Sequence, residues 1–231
     1  MRMARAVLWD MDGTLVDSEE LHWISWRETM AEEGIAITHE QFLASFGQRN
    51  DSTIPRYLGA TVTPERVEKI SFAKDAMYRN LVREKGISPL PGVAHWVRAL
   101  HEQGWLQAIA SSAPRANVEV VLEALAATHR FQAIVSAEDV RRGKPDPEVY
   151  LTAATRVGAS PDRSIVVEDA AAGIEGARRA GMRSVGVSHH GKHLAADIVV
   201  PSLDHLKADA FDALLEIRSV VDANEWRNYV R

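Results

Sequence analysis

The chain has 231 residues, a formal net charge of -5, 46% hydrophobic residues and no cysteine. That composition excludes wholesale disorder, a disulfide framework, a thiolate metal site and a thiol nucleophile, and its acidic balance lacks the basic stripe of a nucleic-acid binder. At roughly 150 residues per domain the length corresponds to about one and a half domains, which means one large domain or a core carrying an insertion.

The first residues run quickly into Asp10 and Asp12 and lack the apolar stretch of a signal peptide. Nowhere do about 18 apolar residues run together, so no membrane span is expected. A cysteine-free chain suits a reducing compartment, and a cytoplasmic address is expected. The first predicted element is a buried strand, Ala6-Val7-Leu8-Trp9, stopped by Asp10 and Gly13. From Ser18 to about Gly86 the pattern is helical. Leu21, Ile24, Met30 and Ile35 alternate there with acidic clusters, and Glu32, Glu33, Glu40, Glu65, Glu68 and Lys69 read as solvated helix faces. Pro89-Leu90-Pro91-Gly92 then punctuates the chain. Val93, Trp96, Val97 and Leu100 form one helix face, ended by Gly104. A strand is expected over 106–110, and Val118, Val121, Leu122 and Leu125 mark the next helix. There follow a strand over 133–135, a helix over 149–157, a strand over 165–167, a small-residue helix over 170–180, and strands over 184–187 and 198–200. The tail, 211–231, reads as a helix, with Trp226 and Tyr229 packed on the core or on a neighbouring subunit.

Strands and helices alternate, and the connections are too long for hairpins. This predicts parallel βαβ units in an α/β fold with a doubly wound parallel sheet. Residues 17–89 break the alternation and read as an all-α insertion. The core is then discontinuous, over 1–16 and 90–231.

Ligands of an open α/β sheet bind beyond the carboxyl ends of its strands. Here those ends carry Asp10-Met11-Asp12-Gly13-Thr14, Ser111-Ser112, Lys144-Pro145-Asp146-Pro147 in a loop, and Glu168-Asp169. A parallel sheet brings these segments to one edge. Two unit charges ~4 Å apart repel by about 4 kcal/mol at an effective dielectric near 20. Clustered Asp10, Asp12, Glu168 and Asp169 therefore call for a cation beyond Lys144, and all-oxygen ligands favour Mg²⁺. A metal with Lys144 would also offset the repulsion between a carboxylate nucleophile and a phosphate. Ser111 and the N–H groups of the Gly13-Thr14 turn would donate to phosphoryl oxygens. An aspartate is ionised at neutral pH and its acyl phosphate hydrolyses readily. Asp12, two residues on, would shuttle the proton.

These residues carry a resemblance. Asp10-Met11-Asp12-Gly13-Thr14-Leu15-Val16-Asp17-Ser18 resembles the first motif of the haloacid dehalogenase superfamily. Ile109-Ala110-Ser111 resembles the second, Lys144 the third and Glu168-Asp169 the fourth. Ala172-Gly173-Ile174 and Ala180-Gly181-Met182 are also similar to the group. The resemblance implies a Rossmann-like core with a helical cap inserted after the first motif. It implies Asp10 as nucleophile and Asp12 as acid/base. Mg²⁺ would be bound by the Asp10 side chain, the Asp12 backbone carbonyl and Asp169, with Glu168 adjacent. Haloalkanoate dehalogenases and phosphonate-cleaving members usually lack an acid at the Asp12 position, so Asp12 favours phosphate esters. The nearest subgroup holds β-phosphoglucomutase and the sugar-phosphate and phosphoglycolate phosphatases. His22 and Trp26 follow the first motif as in many of these. Mutases of the type carry Gly-x-Ser-Arg in the cap with a nearby lysine. This chain reads Phe46-Gly47-Gln48-Arg49-Asn50-Asp51-Ser52, without the serine and with the arginine one place early. That departure favours hydrolysis.

The expected activity is thus a Mg²⁺-dependent phosphatase acting on a small phosphorylated metabolite through an aspartyl-phosphate on Asp10. A phosphosugar mutase and a non-catalytic metabolite-binding regulator are the alternatives. Asp10, Asp12, Ser111 and Lys144 are the catalytic candidates. Gly13, Thr14, Ser112, His22, Arg49 and Asn50 are the candidates for phosphate or substrate contact, with Arg115 a further possibility beside the Ser111 loop. Simpler structural roles compete for some of these: a helix N-cap for Ser111 and an N-terminal charge pair for Glu168-Asp169. The stretch His189-His190-Gly191-Lys192-His193 reads as a solvated loop, because no carboxylate or cysteine stands at ligand spacing from it. No nucleic-acid or membrane partner is expected, and the chain is expected to be a monomer or homodimer.

Overall fold

The computed structural model describes residues 4–189, 191, 193–216 and 230. Six parallel strands form one sheet: β1 (Ala6–Trp9), β2 (Leu106–Ala110), β3 (Ala133–Val135), β4 (Ser164–Glu168), β5 (Arg183–Val187) and β6 (Ile198–Val200), in the order β3-β2-β1-β4-β5-β6. β1 is central, and its register pairs Trp9 with Ile109 on one side and with Val167 on the other. The three strands therefore end level, which puts Asp10, Ser111 and Glu168 along one edge. Glu168 is itself the last residue of β4, paired with Gly186, where the sequence pattern had placed it just beyond the strand.

Both sheet faces are covered, which is why the strands are almost continuously apolar. Val7 and Trp9 face a cluster with α5 (Val93–Glu102), α6 (Arg115–Ala124) and Phe211 of α9 (Ala210–Glu216). Ala6 and Leu8 face Val149, Tyr150 and Ala153 of α7 (Glu148–Val157) and Ala177 of α8 (Ala171–Arg179). The fold is thus the expected doubly wound α/β core. The predicted helical tail is seen only as α9; Trp226 and Tyr229 lie outside the described residues, and Val230 forms a bridge to Leu206.

Between β1 and β2 stands the helical cap: α1 (Glu19–Glu32), α2 (His39–Leu43), α3 (Asn50–Leu58) and α4 (Pro64–Lys85). Thr38 and Gln41 form a capping box at α2, and Pro64 opens α4, both ordinary helix-start chemistry. Trp26, Met30, Ile37, Phe42, Ile54 and Ile70 make a separate apolar cluster inside these helices. Tyr78 and Val82, farther along α4, instead join the large cluster of the sheet domain. One helix is shared between the cap and the core. No helix among the described residues is long and apolar enough to cross a membrane.

Candidate active site

The site is assembled at the level strand ends. The Asp10 N–H donates to the Val167 carbonyl (3.0 Å), which ties the residue to β4. The chain then turns sharply, with the Leu15 and Val16 N–H groups donating to the Met11 carbonyl and Gly13 at φ +82°. A side chain at Gly13 would be strained, and its Cβ would lie 2.5 Å from Asp169 Oδ2. The glycine lets the turn close against the second acidic segment. Thr14, fully buried, donates its hydroxyl to Asp169 Oδ1 (3.1 Å).

Lys144 reaches in from the loop before α7, its side chain 7% exposed. Its Nζ lies 2.5 Å from Asp10 Oδ1 and 2.6 Å from Glu168 Oε1. Glu168 is fixed further by the Tyr150 hydroxyl (3.2 Å) and the Ala170 N–H (2.7 Å). The fit depends on bare backbone in α8, because a Cβ at Gly173 would stand 1.9 Å from Glu168 Oε1. Gly173→Ala must therefore displace Glu168 from Lys144 and Tyr150. The expected cost is about 1–3 kcal/mol in urea unfolding, the usual scale of overpacking, with loss of activity beyond that of an exposed Gly→Ala control.

Asp10, Glu168 and Asp169 bring ligand oxygens within 4.8 Å of one another. This set of hard oxygen donors fits a divalent cation. Asp12 does not belong to it, which corrects the expected cluster of four carboxylates. Its side chain turns toward the cap, where it accepts from Ser18 Oγ (2.6 Å), meets His22 Nε2 at 3.1 Å and accepts from the Tyr78 hydroxyl at 3.5 Å. The first turn of α1 offers Asp12 donors, while the acidic edge offers it like charge. His22 stacks flat on Tyr78 (3.9 Å between ring centres, 8° between planes), so two cap helices hold the Asp12 partner.

A cavity of about 510 Å³ lies between the cap and the strand ends, with Asp10, Asp12, Lys144 and Ser111 in its floor and His22 and Lys74 in its cap wall. Residues 7–187 match the family profile of the haloacid dehalogenase-like hydrolases. The chain belongs to that family. It is 31% identical over 204 residues to the β-phosphoglucomutase of Bacillus subtilis (strain 168), covering 85% of this chain and 88% of that one. It is also 31% identical to the fructose-1-phosphate phosphatase of Escherichia coli (strain K12), over 78% of this chain and 95% of the relative. The crystal structure of a β-phosphoglucomutase from Clostridium difficile superposes with a TM-score of 0.83 at 27% identity, covering 93% of this chain and 98% of the other.

The electrostatics of this haloacid dehalogenase-like hydrolase separate its two neighbouring aspartates. Burial raises Asp10 well above the ordinary carboxyl range; Lys144 opposes that shift, and Glu168 and Asp169 add to it. Lys144 is desolvated too, yet the charges of Asp10 and Glu168 outweigh this and hold its pKa high. Burial is thus the largest influence on Asp10, and Lys144 offsets it only in part. Asp12 goes the other way. Burial pushes it up, but the charge and hydrogen bond of His22, with Ser18 and Lys74, pull it below its ordinary value. His22 is lowered by burial and by Lys74, against the attraction of Asp12.

The other expected contacts are placed less uniformly. Ser111 lies at the floor with its Oγ accepting from the Ala113 N–H (3.1 Å), which is turn-capping geometry beside the cavity, and Ser112 lines the same wall. Arg49 reaches across to the core, donating to the carbonyl oxygens of Ala137 (2.7 Å) and Val140 (3.4 Å) and pairing with Asp51. Asn50 donates to Asp75 Oδ2 (2.7 Å). Both line the cavity with these donors already engaged. Arg115 bonds the Ile134 carbonyl and Asp139 and is a structural residue beneath the β3 loop. Of the histidine-rich loop, His189 Nε2 meets the Gly13 carbonyl at 2.8 Å, bracing the turn after Asp10, while His190 and Lys192 lie outside the described residues.

Sequence reasoning missed Lys74, Asp75, Asn117 and Tyr150. For Lys74 a signal existed. Ile70, Lys74, Tyr78 and Val82 recur at four-residue spacing and are all buried on α4, so a lysine stands within an apolar stripe.

Proposed function

We propose that the chain is a Mg²⁺-dependent phosphatase that hydrolyses a small phosphorylated metabolite, a sugar phosphate or similar alcohol phosphate, through an aspartyl-phosphate on Asp10. One observation carries the reading: Asp10 is paired with Lys144, while Asp12, two residues on, is held apart by His22 and Ser18 in the same cavity. One carboxylate is set for attack and the other for proton transfer. Mg²⁺ would be held by Asp10, Asp169 and the Asp12 carbonyl, with Glu168 beside it, and would supply positive charge for the transferring phosphoryl group. Phosphatase-named relatives support the same class.

In the first step an Asp10 oxygen attacks phosphorus, the ester P–O bond breaks, and a proton from Asp12 goes to the leaving alkoxide. In the second, water attacks the phosphoryl group, its proton goes to Asp12, and Asp10 is released as carboxylate. The low pKa of Asp12 suits the second step. A phosphate dianion brought next to it shifts that balance upward, because a like charge disfavours the ionised form, and readies Asp12 for the first. Lys144 and Ser111 would orient phosphoryl oxygens, with Ser112 beside them; the Gly13 and Thr14 N–H groups, expected to donate there, instead donate within the turn to the Val16 and Met11 carbonyls. The cap, proposed to comprise residues 17–89 against a core of 1–16 and 90–231, excludes water from the reacting atoms. A cytoplasmic address is proposed on the cysteine-free composition.

Relatives named β-phosphoglucomutase keep a mutase reading in play. It needs a grip for a second phosphate. Here Arg49 is occupied by Asp51 and two core carbonyls, and Asn50 by Asp75. A panel of phosphorylated metabolites, assayed with Mg²⁺ and after removal of metal by a chelator, tests the proposal. Phosphate should be released from some sugar or polyol phosphates, disappear with the chelator and return with Mg²⁺. Conversion of hexose 1-phosphate to its 6-isomer without net phosphate release would decide for the mutase.

A further inference from the structure

We propose that Asp75 is a specificity-determining residue: it neutralises Lys74 inside the cavity and so fits the site to phosphate esters whose leaving group carries no second charge. This rests on the phosphatase reading above. Lys74 is 3% exposed and Asp75 4% exposed, and Lys74 Nζ lies 3.0 Å from Asp75 Oδ1. The ammonium also sits over the rings of Trp26 (5.1 Å) and Tyr78 (5.7 Å), so little water screens it. Alone in the wall of the cavity, such a charge would draw in any second anionic group on the substrate.

Asp75 is held where it prevents this. Its Oδ2 accepts from Asn50 Nδ2 (2.7 Å) on α3, and its Oδ1 accepts from Asn117 Nδ2 (2.9 Å) on α6. Arg79, one turn along α4, donates to Asn117 Oδ1 (2.9 Å). The Asn117 amide is thereby read at both ends, nitrogen by Asp75 and oxygen by Arg79, in the one orientation that keeps the carboxylate beside Lys74. The other basic side chains of the cavity leave the same balance. Lys144 is paired with Asp10 and Glu168, Arg49 with Asp51, and Arg56 is exposed at the rim, where solvent screens it. A second phosphate entering here would shed its hydration without meeting an uncompensated buried cation.

The test varies the local charge in steps: wild type 0, Asp75→Asn +1, Lys74→Gln -1, and the double variant 0. For each, kcat/KM is measured on fructose 1-phosphate and on fructose 1,6-bisphosphate. Dissociation constants for the same esters are measured by calorimetry in the Asp10→Asn background. The bisphosphate-to-monophosphate preference should rise at least about tenfold in Asp75→Asn and fall by a similar factor in Lys74→Gln. It should return near the wild-type value in the double variant, and the Asp75→Asn gain should shrink in high salt. If Asp75→Asn does not fold, Lys74→Gln still reads the charge, as a lowered preference that high salt restores toward wild type. A preference unmoved in the variants, or shifted equally in the single and double variants, overturns the role of Asp75. A wild-type chain that releases phosphate from no member of the metabolite panel above overturns the phosphatase reading instead.

Discussion

Asp10→Asn should lower kcat/KM for every phosphate ester by at least about 10⁴-fold, the scale seen when a nucleophile is removed. The amide oxygen cannot form the acyl phosphate, so no other group in the cavity restores turnover. Stability should move the opposite way. The native site crowds Asp10, Glu168 and Asp169 around one lysine, and burial already disfavours the charged form of Asp10. The neutral isostere removes one like charge and leaves Lys144 paired with Glu168. Without added metal, the variant should melt at or above the wild-type temperature while losing activity. Calorimetric scans beside initial rates check both halves. Full activity in Asp10→Asn would rule out the aspartyl-phosphate route.

Asp12→Asn should slow hydrolysis of a sugar phosphate by about 10²–10⁴-fold, the usual range for losing a general acid or base. The size of the effect should depend on the leaving group. A sugar alkoxide needs a proton as it departs, whereas p-nitrophenolate leaves without one. With p-nitrophenyl phosphate the first step should survive and the second, which needs a base for water, should stall. The expected signature is a rapid burst of nitrophenol, about one equivalent per site, followed by slow turnover. Stopped-flow absorbance reads it directly. Equal slowing of both substrates with no burst would remove Asp12 from proton transfer and leave it a structural partner of Ser18 and His22.

The parts of the site that were legible in the sequence are those governed by short-range rules. A buried strand ending in Asp10-Met11-Asp12-Gly13-Thr14 announces both the strand end and its tight turn, and parallel alternation puts Ser111 and Glu168 on the same edge. The direction of Asp12 was not legible, because it depends on a turn that faces successive side chains differently and on donors arriving from α1 and α4. Arg49 and Asn50 were placed in the right cavity, but their partners Ala137 and Asp75 lie 88 and 25 residues away in sequence. The Lys74–Asp75 pair is adjacent in sequence, yet only tertiary burial distinguishes it from a solvated charge pair. The helical tail beyond Glu216 has no described counterpart.

The double membership of α4 has a consequence for Asp12. Tyr78 belongs to the apolar cluster of the sheet domain and also backs the histidine that touches Asp12. Any excursion that lifts α1 and α4 off the sheet peels away buried apolar surface and strips Asp12 of His22 and Tyr78 together. The setting of Asp12 is therefore tied to the seating of these helices on the sheet, in the manner of an interlock.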